Sequence, residues 1–157
     1  MSIDQRELRN TLGTFATGIT VITTNSIDGA NIGVTINSFA SVSLDPPLVL
    51  FSLKTESPLA DIFLNAKTFN VNILSAEQES ISNLFAGQET DKFDKVEWKK
   101  GQNGSPILSG TLGSLECTRI QTHDGGDHTI FVGKVSHHEN DAAGKPLLYV
   151  NGCYAKL

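Results

Sequence analysis

The stretch 33–58 combines hydroxyl and amide side chains, a proline pair and a lysine in one continuous run. Ser57 followed by Pro58 is the pattern of a helix N-cap followed by a first-turn proline. A helix that begins there presents free N–H groups and the positive end of its dipole, which favour a phosphate, and Lys54 lies just upstream. The same spacing fits a hairpin turn followed by an ordinary capped helix. The sequence therefore predicts either an anion-binding cradle or a plain turn and helix.

Two longer blocks of sequence resemble one known family. Residues 35–49 read TINSFASVSLDPPLV and residues 126–135 read GDHTIFVGKV. Both are similar to motifs of the flavin reductase-like family, the small flavin-reducing partners of two-component flavin-dependent monooxygenases. Shorter similarities cover nearly the whole chain, at residues 15–18, 91–93, 146–149 and Tyr154.

The resemblance implies a flavin site along the first block. The residues it implies as cofactor contacts are Thr35, Ile36, Asn37, Ser38, Ser41, Ser52, Leu53, Lys54, Ser57, Phe93 and Tyr154. Thr35, Asn37, Ser38 and Ser41 belong to the wall beside the flavin ring and ribityl chain. Ser52, Lys54 and Ser57 are candidates for the phosphate end. Phe93 and Tyr154 are expected to cover the ring or the cofactor tail, although an aromatic residue is more often part of the core.

His128 is the candidate catalytic residue. By resemblance it faces the nicotinamide of the hydride donor, while its neighbourhood alone indicates a histidine at the end of a hairpin. Two positions depart from the family pattern. Lys92 stands where arginine is common, and lysine cannot reproduce a planar bidentate contact. Ile36 replaces a small residue, and it either narrows the ring pocket or faces the core.

Composition limits the class of protein. With 157 residues, of which 39% are hydrophobic and 18% charged, we expect one compact domain over 1–157. The net charge of −5 and the dispersed basic residues make nucleic acid and an anionic membrane improbable partners. The N-terminus lacks an apolar leader and no run is long enough to span a membrane, so we expect a cytoplasmic protein. Cys117 and Cys153 are too few for a disulfide framework and are expected to be buried or half-buried thiols.

Several common catalytic motifs are missing from the sequence. It contains no GxGxxG after a strand, no Walker loop, no HExxH and no GxSxG. These gaps disfavour a Rossmann or P-loop nucleotide site, a metal site and a serine hydrolase. They are compatible with flavin chemistry, because the flavin accepts the hydride itself and the protein binds and orients it.

Apolar periodicity predicts mostly strands. They are expected at 17–24, 30–36, 39–44, 48–53, 68–74, 113–121, 129–138 and 147–150. Helices are expected at 4–14, after Ser57-Pro58, and after a capping box of Ser75 and Gln78. Residues 87–105 are interpreted as a surface excursion. Many short strands with few helices favour a barrel or sandwich. The resemblance narrows this to a mainly β, Greek-key FMN-binding split β-barrel with a few short peripheral helices.

The function implied by the resemblance is hydride transfer from NADH or NADPH to FMN or FAD. The reduced flavin would serve a separate monooxygenase, and the reductase would be a homodimer. Two alternatives remain open at this stage. One is a split-barrel flavoprotein that retains its flavin and acts directly on an organic substrate, and the other is a non-enzymatic flavin-binding protein.

Overall fold

A computed structural model describes residues 3–157. Its helices are α1 Gln5–Gly13, α2 Ala60–Asn65 and α3 Glu79–Ala86, with a short 3₁₀ helix at Lys92–Lys95. Its strands are β1 Thr17–Gly18, β2 Thr20–Asn25, β3 Asn31–Ile36, β4 Ala40–Leu44, β5 Pro47–Lys54, β6 Thr68–Ile73, β7 Trp98–Lys100, β8 Pro106–Leu108, β9 Gly113–Gly125, β10 His128–Asn140, β11 Leu148–Val150 and β12 Cys153–Ala155.

Seven strands form one antiparallel sheet in the order β3-β2-β6-β9-β10-β5-β4. The linker 37–39 joins β3 and β4, which are the two edge strands. Within it the Ser38 hydroxyl donates to the Ser52 carbonyl at 2.9 Å and accepts from the Ser52 N–H at 3.0 Å. The sheet must therefore curl until its first edge approaches β5. The predicted mainly β class with short helices is confirmed, and the assignment as a split barrel stays a prediction.

Apolar side chains pack on both faces of this sheet. The main cluster contains Phe51 stacked on Phe131, with ring centroids 4.8 Å apart. The second cluster lies under α3 and the C-terminal strands and includes Val21, Leu74 and Phe85. Successive β2 residues serve opposite clusters, since Val21 belongs to the second and Ile22 to the main one. This explains why β2 is rich in β-branched residues and is buried along most of its length without alternation.

Two predicted helix starts are wrong in detail. α2 begins at Ala60 with Leu59 at its N-cap, three residues after the predicted cap at Ser57. The Ser57 N–H bonds the Lys54 carbonyl and the Ser57 carbonyl accepts from the Ala60 N–H, both at 2.9 Å, so this segment forms turns first. α3 begins at Glu79 with Gln78 at its N-cap. The Gln78 side chain still accepts from the Ser75 N–H at 3.0 Å, which is one half of the predicted capping box.

Residues 87–105 lie mostly at the surface, as expected, but the segment has structure of its own. The segment contains the 3₁₀ helix and β7, and its turn at 101–105 is tied to the sheet by Asn103. The Asn103 amide group donates to the Asn70 side chain at 2.7 Å, and its N–H donates to the buried Glu116 carboxylate at 2.9 Å. These partners lie far away in sequence. The segment is polar, and without its partners that polarity is typical of a loop.

The two cysteines differ in exposure. Cys117 is fully buried in the main cluster, as expected, whereas Cys153 is exposed. Cys153 directly follows Asn151 and Gly152, which both have positive φ and form the tight turn between β11 and β12. That turn holds Cys153 at the surface. Among residues 3–157, no helix has the length and apolar character needed to cross a membrane.

Candidate functional site

The two motif blocks meet where β5 pairs with β10. His128 lies directly opposite Lys54, and Ile130 lies directly opposite Ser52. Side chains alternate along a strand, so Ser52 and Lys54 share the outer face of the sheet while Leu53 points into the core. Directly opposed residues in an antiparallel pair share a face. Lys54, His128 and Ser52 therefore occupy one outer surface, which we call the β5–β10 face.

Asp127 orients the His128 ring at the end of this face. Its carboxylate lies 2.7 Å from His128 Nδ1, and its carbonyl accepts from the Thr55 N–H at 2.9 Å. The hydrogen bond with His128 holds the pKa of Asp127 below its usual value, and the charges of His128 and Lys54 act in the same direction. A ring engaged at Nδ1 leaves Nε2 available for a second partner. The histidine side chain is 44% exposed, so that partner can be a ligand.

The linker 37–39 borders the same surface. Ser38 is held there by its two hydrogen bonds to the Ser52 backbone. Asn37 precedes it and is exposed. Within the described part of the chain, the side chains of Asn37, Ser52 and Lys54 have no hydrogen-bond partner. An amide on the linker, and a hydroxyl and an ammonium group on β5, are thus available.

Thr35 and Ile36 point in opposite directions at the end of β3. The Thr35 hydroxyl donates to the Ser82 carbonyl of α3 at 2.7 Å. Ile36 packs against the main core cluster. Of the two readings given for Ile36, the structure therefore supports the core-facing one, and its side chain does not narrow a ring pocket.

The side chains of Ser41 and Leu53 do not lie on the β5–β10 face. Ser41 lies opposite Val49, a residue of the main core, so it belongs to the other face of the sheet at the exposed edge strand. The side chain of Leu53 is 6% exposed and lies within the main core.

Ser57 lies in the turn between β5 and α2. Its hydroxyl accepts from the Leu59 N–H at 3.3 Å. Because α2 begins only at Ala60 and has six residues, the helix-dipole argument for a phosphate at Ser57 does not hold. The available groups at this end are the Lys54 ammonium and the polar atoms of the turn.

Phe93 lines a cavity of about 540 Å³ next to this turn. The cavity lies between Pro58 and Leu59, the first half of β3, and the segment 87–93. Phe93 packs edge-to-face on Phe85, with ring centroids 5.2 Å apart. The neighbouring Lys92 also lines the cavity, but its ammonium is bonded to the backbone. Its ammonium donates to the Gly87 carbonyl at 2.7 Å and to the Phe85 carbonyl at 3.3 Å, and burial lowers its pKa.

Tyr154 lies on β12, against α3. Its hydroxyl is 2.7 Å from the Ser82 hydroxyl and donates to the Asn83 side chain at 3.0 Å. The structure thus brings Tyr154 close to Thr35 through Ser82, and not to Lys54 or His128. Ser82 is fully buried and was missed from the sequence. It lies three residues before the buried Phe85, so the two share a face of α3, and a serine on that apolar face was the available signal.

Gly33 was also missed as a residue with a structural requirement. A Cβ at this position would lie 2.5 Å from the Phe85 ring, so glycine lets α3 pack directly on β3. The packing fixes Phe85, and Phe85 in turn contacts Phe93 at the cavity. Gly33 therefore shapes the cavity wall without contributing a side chain.

Comparison with known proteins gives consistent matches over the whole chain. The family model described as flavin reductase like domain matches residues 12–157. The chain is 42% identical over 157 residues to the FMN reductase (NADH) SmoA of Agrobacterium fabrum, covering 98% of this chain and 87% of that protein. It is 40% identical over 156 residues to the flavin-dependent monooxygenase reductase subunit HsaB of Rhodococcus jostii, covering 99% and 80%. The Streptomyces globisporus NADH:FAD oxidoreductase SgcE6, solved in complex with NAD and FAD fragments, superposes with a TM-score of 0.93 at 37% identity, covering 98% of this chain and 93% of that one.

Proposed function

The chain belongs to the flavin reductase-like family, and we propose that its β5–β10 face and the adjoining linker 37–39 bind the flavin that it reduces. The protein is an NAD(P)H-dependent flavin reductase that supplies reduced FMN or FAD to a monooxygenase. The observation that carries the site proposal is the direct pairing of Lys54 with His128. Lys54, the phosphate candidate of the stretch 33–58, is thus the neighbour of His128, the nicotinamide candidate of the block 126–135.

The donor set of this surface suits a flavin. The available side chains are neutral amide and hydroxyl groups at Asn37 and Ser52, followed by one ammonium at Lys54. Neutral donors and acceptors match the uncharged ring edge and ribityl chain, and an ammonium matches the phosphate. When bound, the flavin supplies the hydride-accepting chemistry that no side chain has.

The side chains of this protein bind the flavin and orient the nicotinamide. Lys54 and the polar atoms of the turn at Ser57 hold the phosphate end. Ser38 acts indirectly, because its two hydrogen bonds to Ser52 fix the linker that carries Asn37. His128 presents Nε2 to the nicotinamide, and Asp127 fixes the direction of the ring. Phe93 closes one side of the neighbouring cavity against the cofactor tail.

Association into a homodimer is part of the proposal. Several large apolar side chains are exposed, among them Leu44 at 93% and Val42 at 48% on edge strand β4. Exposed apolar groups on an edge strand favour association with another chain. Sedimentation velocity should give the mass of a dimer at micromolar concentration, and a monomeric mass would contradict this part.

We place the protein in the cytoplasm, where reduced nicotinamide dinucleotides are available.

Dependence of turnover on flavin tests the activity. Flavin-free protein should oxidise NADH or NADPH only after FMN, FAD or riboflavin is added, because no other group in the described residues accepts a hydride. Consumption of nicotinamide is followed by absorbance with and without each flavin. Undiminished turnover in flavin-free protein would contradict the proposed reaction.

A further inference from the structure

Ser82 connects two residues that lie far from it in sequence. Its carbonyl accepts from the Thr35 hydroxyl, and its own hydroxyl pairs with the Tyr154 hydroxyl, both at 2.7 Å. Ser82 is fully buried at the centre of α3. We call this set of three residues the Ser82 bridge. It joins β3, α3 and β12 at one point.

The direction of the hydrogen bonds follows from the available protons. The Tyr154 hydroxyl donates to the Asn83 side-chain oxygen at 3.0 Å, which uses its one proton. The Ser82 hydroxyl must then donate to Tyr154. Each hydroxyl in the bridge has a defined role, and the buried Ser82 hydroxyl has a partner. Removing the Tyr154 hydroxyl would leave the Ser82 hydroxyl buried and unpaired, which costs more than the bond itself contributes.

Thr35 lies on β3, two residues before Asn37 of the linker 37–39. The Thr35 hydroxyl donates its proton to the Ser82 carbonyl. Its oxygen can still accept a hydrogen bond from a ligand. Within the linker, Ser38 is fixed to the Ser52 backbone. The short segment 35–38 is therefore anchored on both sides, by the Ser82 bridge and by Ser52.

We propose that Ser82 and Tyr154 are positioning residues for the flavin-binding segment 35–38, acting through Thr35. This inference rests on the proposed flavin site. Tyr154 then affects flavin binding without touching the flavin, because its hydroxyl is already bonded to α3. The C-terminal hairpin β11–β12, which carries Tyr154, becomes part of the apparatus that shapes the flavin site.

The test compares two tyrosines of the same hairpin. Tyr154→Phe removes the bridging hydroxyl and keeps the ring, whereas Tyr149→Phe is a matched control. The Tyr149 hydroxyl has no hydrogen-bond partner among residues 3–157, and its ring packs 5.6 Å from that of Tyr154. The dissociation constants of riboflavin, FMN and FAD are measured by fluorescence titration of flavin-free protein. The midpoint of thermal unfolding is recorded for each variant.

We expect Tyr154→Phe to raise all three flavin dissociation constants by one common factor of roughly two to ten. The common factor is expected because segment 35–38 is assigned to the part that the three flavins share. Ser82→Ala should behave in the same way, and Tyr149→Phe should bind flavin like the wild type. The nicotinamide KM at saturating flavin should stay constant in Tyr154→Phe, since the bridge does not contact the hairpin that carries His128.

A double variant separates positioning from general loss of structure. Thr35→Val removes the other hydroxyl, and Thr35→Ser retains it and should preserve flavin affinity. Adding Tyr154→Phe to Thr35→Val should weaken binding no further, because both substitutions interrupt one bridge. Additive losses, unchanged flavin affinity in Tyr154→Phe, or equal losses in Tyr149→Phe would overturn the inference. If the wild type itself binds none of the flavins, the proposed function fails as well, so the two failures are distinguishable.

Discussion

Lys54 and His128 lie directly opposite each other, yet they are assigned to different steps. Lys54 carries a charge that suits a phosphate, whereas His128 offers a ring nitrogen held in a fixed direction by Asp127. Their substitutions should therefore have separable effects, one on flavin binding and the other on the nicotinamide.

Replacing Lys54 with alanine should weaken FMN and FAD binding while sparing riboflavin. A charge-assisted hydrogen bond between the ammonium and the phosphate contributes ~1.5–3 kcal/mol. Riboflavin has no phosphate, so it does not make this bond and its affinity should not change. Dissociation constants for the three flavins provide the measurement, with Lys134→Ala, an exposed lysine on β10, as the control. Equal weakening for all three flavins would remove Lys54 from the phosphate end.

Replacing His128 with alanine should slow flavin reduction or raise the nicotinamide KM, with flavin affinity nearly unchanged. Loss of an orienting contact on the substrate side is expected to cost about tenfold or more in kcat/KM. Stopped-flow reduction of flavin-loaded protein measures the rate, and His138→Ala on the same strand is the control. If His128 only ends a hairpin, the rate should be unchanged at both limiting and saturating nicotinamide, and stability should change by ~0.5 kcal/mol.

The two cysteines should differ in reactivity and in their effect on stability. Burial, assisted by the charge of Glu116, raises the pKa of Cys117 to about 12, whereas Cys153 is exposed. At pH 8 a thiol reagent should label one cysteine in the folded protein and two in the unfolded protein. Labelling of both in the folded state would contradict the burial of Cys117.

The same shift predicts a pH dependence of unfolding. Above pH 9 the Cys117 thiol ionises in the unfolded chain but stays protonated in the folded one, so the unfolded state binds fewer protons. Stability should then fall between about pH 9 and pH 12, by roughly 1.4 kcal/mol per pH unit from this group. Urea titrations of wild type and Cys117→Ala should show a shallower alkaline decline in the variant, and identical slopes would contradict the assignment.

At the scale of elements, α3 links the core to the candidate site. One side of it packs on β3 through Phe85 and Gly33, and Ser82 binds Thr35 and Tyr154. Any displacement of α3 should therefore change both the stability of the fold and the position of segment 35–38.

Gly33→Ala tests this packing. The added Cβ would lie 2.5 Å from the buried Phe85 ring, so α3 must shift or Phe85 must leave its rotamer. Overpacking of this kind costs ~1–3 kcal/mol, measurable as a lower free energy of unfolding in urea. Gly18→Ala is the matched control, since a Cβ there meets no atom within 4 Å. Equal stability of the two variants would show that α3 yields without cost.

Strand positions could be predicted largely from the sequence, because alternation and turn residues are local signals. Gly126 with its positive φ closes the β9–β10 hairpin, which the sequence indicated beside His128. The helix start at Ser57 could not be predicted, because the Ser-Pro pattern does not reveal that the Ser57 N–H bonds Lys54 first. The Asn103 network could not be predicted either, since its partners come from β6 and β9.

The candidate site was predictable in its motifs but not in its geometry. Lys54 and His128 were both chosen from the sequence, while their pairing depends on the register of β5 and β10. The position of Ser41 also depends on register. Its pairing with Val49 puts it on the other face of the sheet from Ser52, which the sequence did not reveal. The engagement of Tyr154 with α3 depends on a hydrogen bond across 72 positions of sequence.

At the scale of the whole molecule, one sheet brings two distant segments of the sequence to a single surface, and α3 packs on β3 at the edge of that sheet. The family model covers residues 12–157, and the organisation of 1–157 as one domain stays a prediction.

An anaerobic absorbance titration tests this account most directly. Flavin-loaded protein is titrated with NADH and, separately, with NADPH, and the visible absorbance of oxidised flavin is followed. We predict that at least one nicotinamide bleaches the flavin stoichiometrically, and that His128→Ala slows the bleaching without releasing the flavin. Bound flavin that neither nicotinamide bleaches would contradict the central claim that this protein is a flavin reductase.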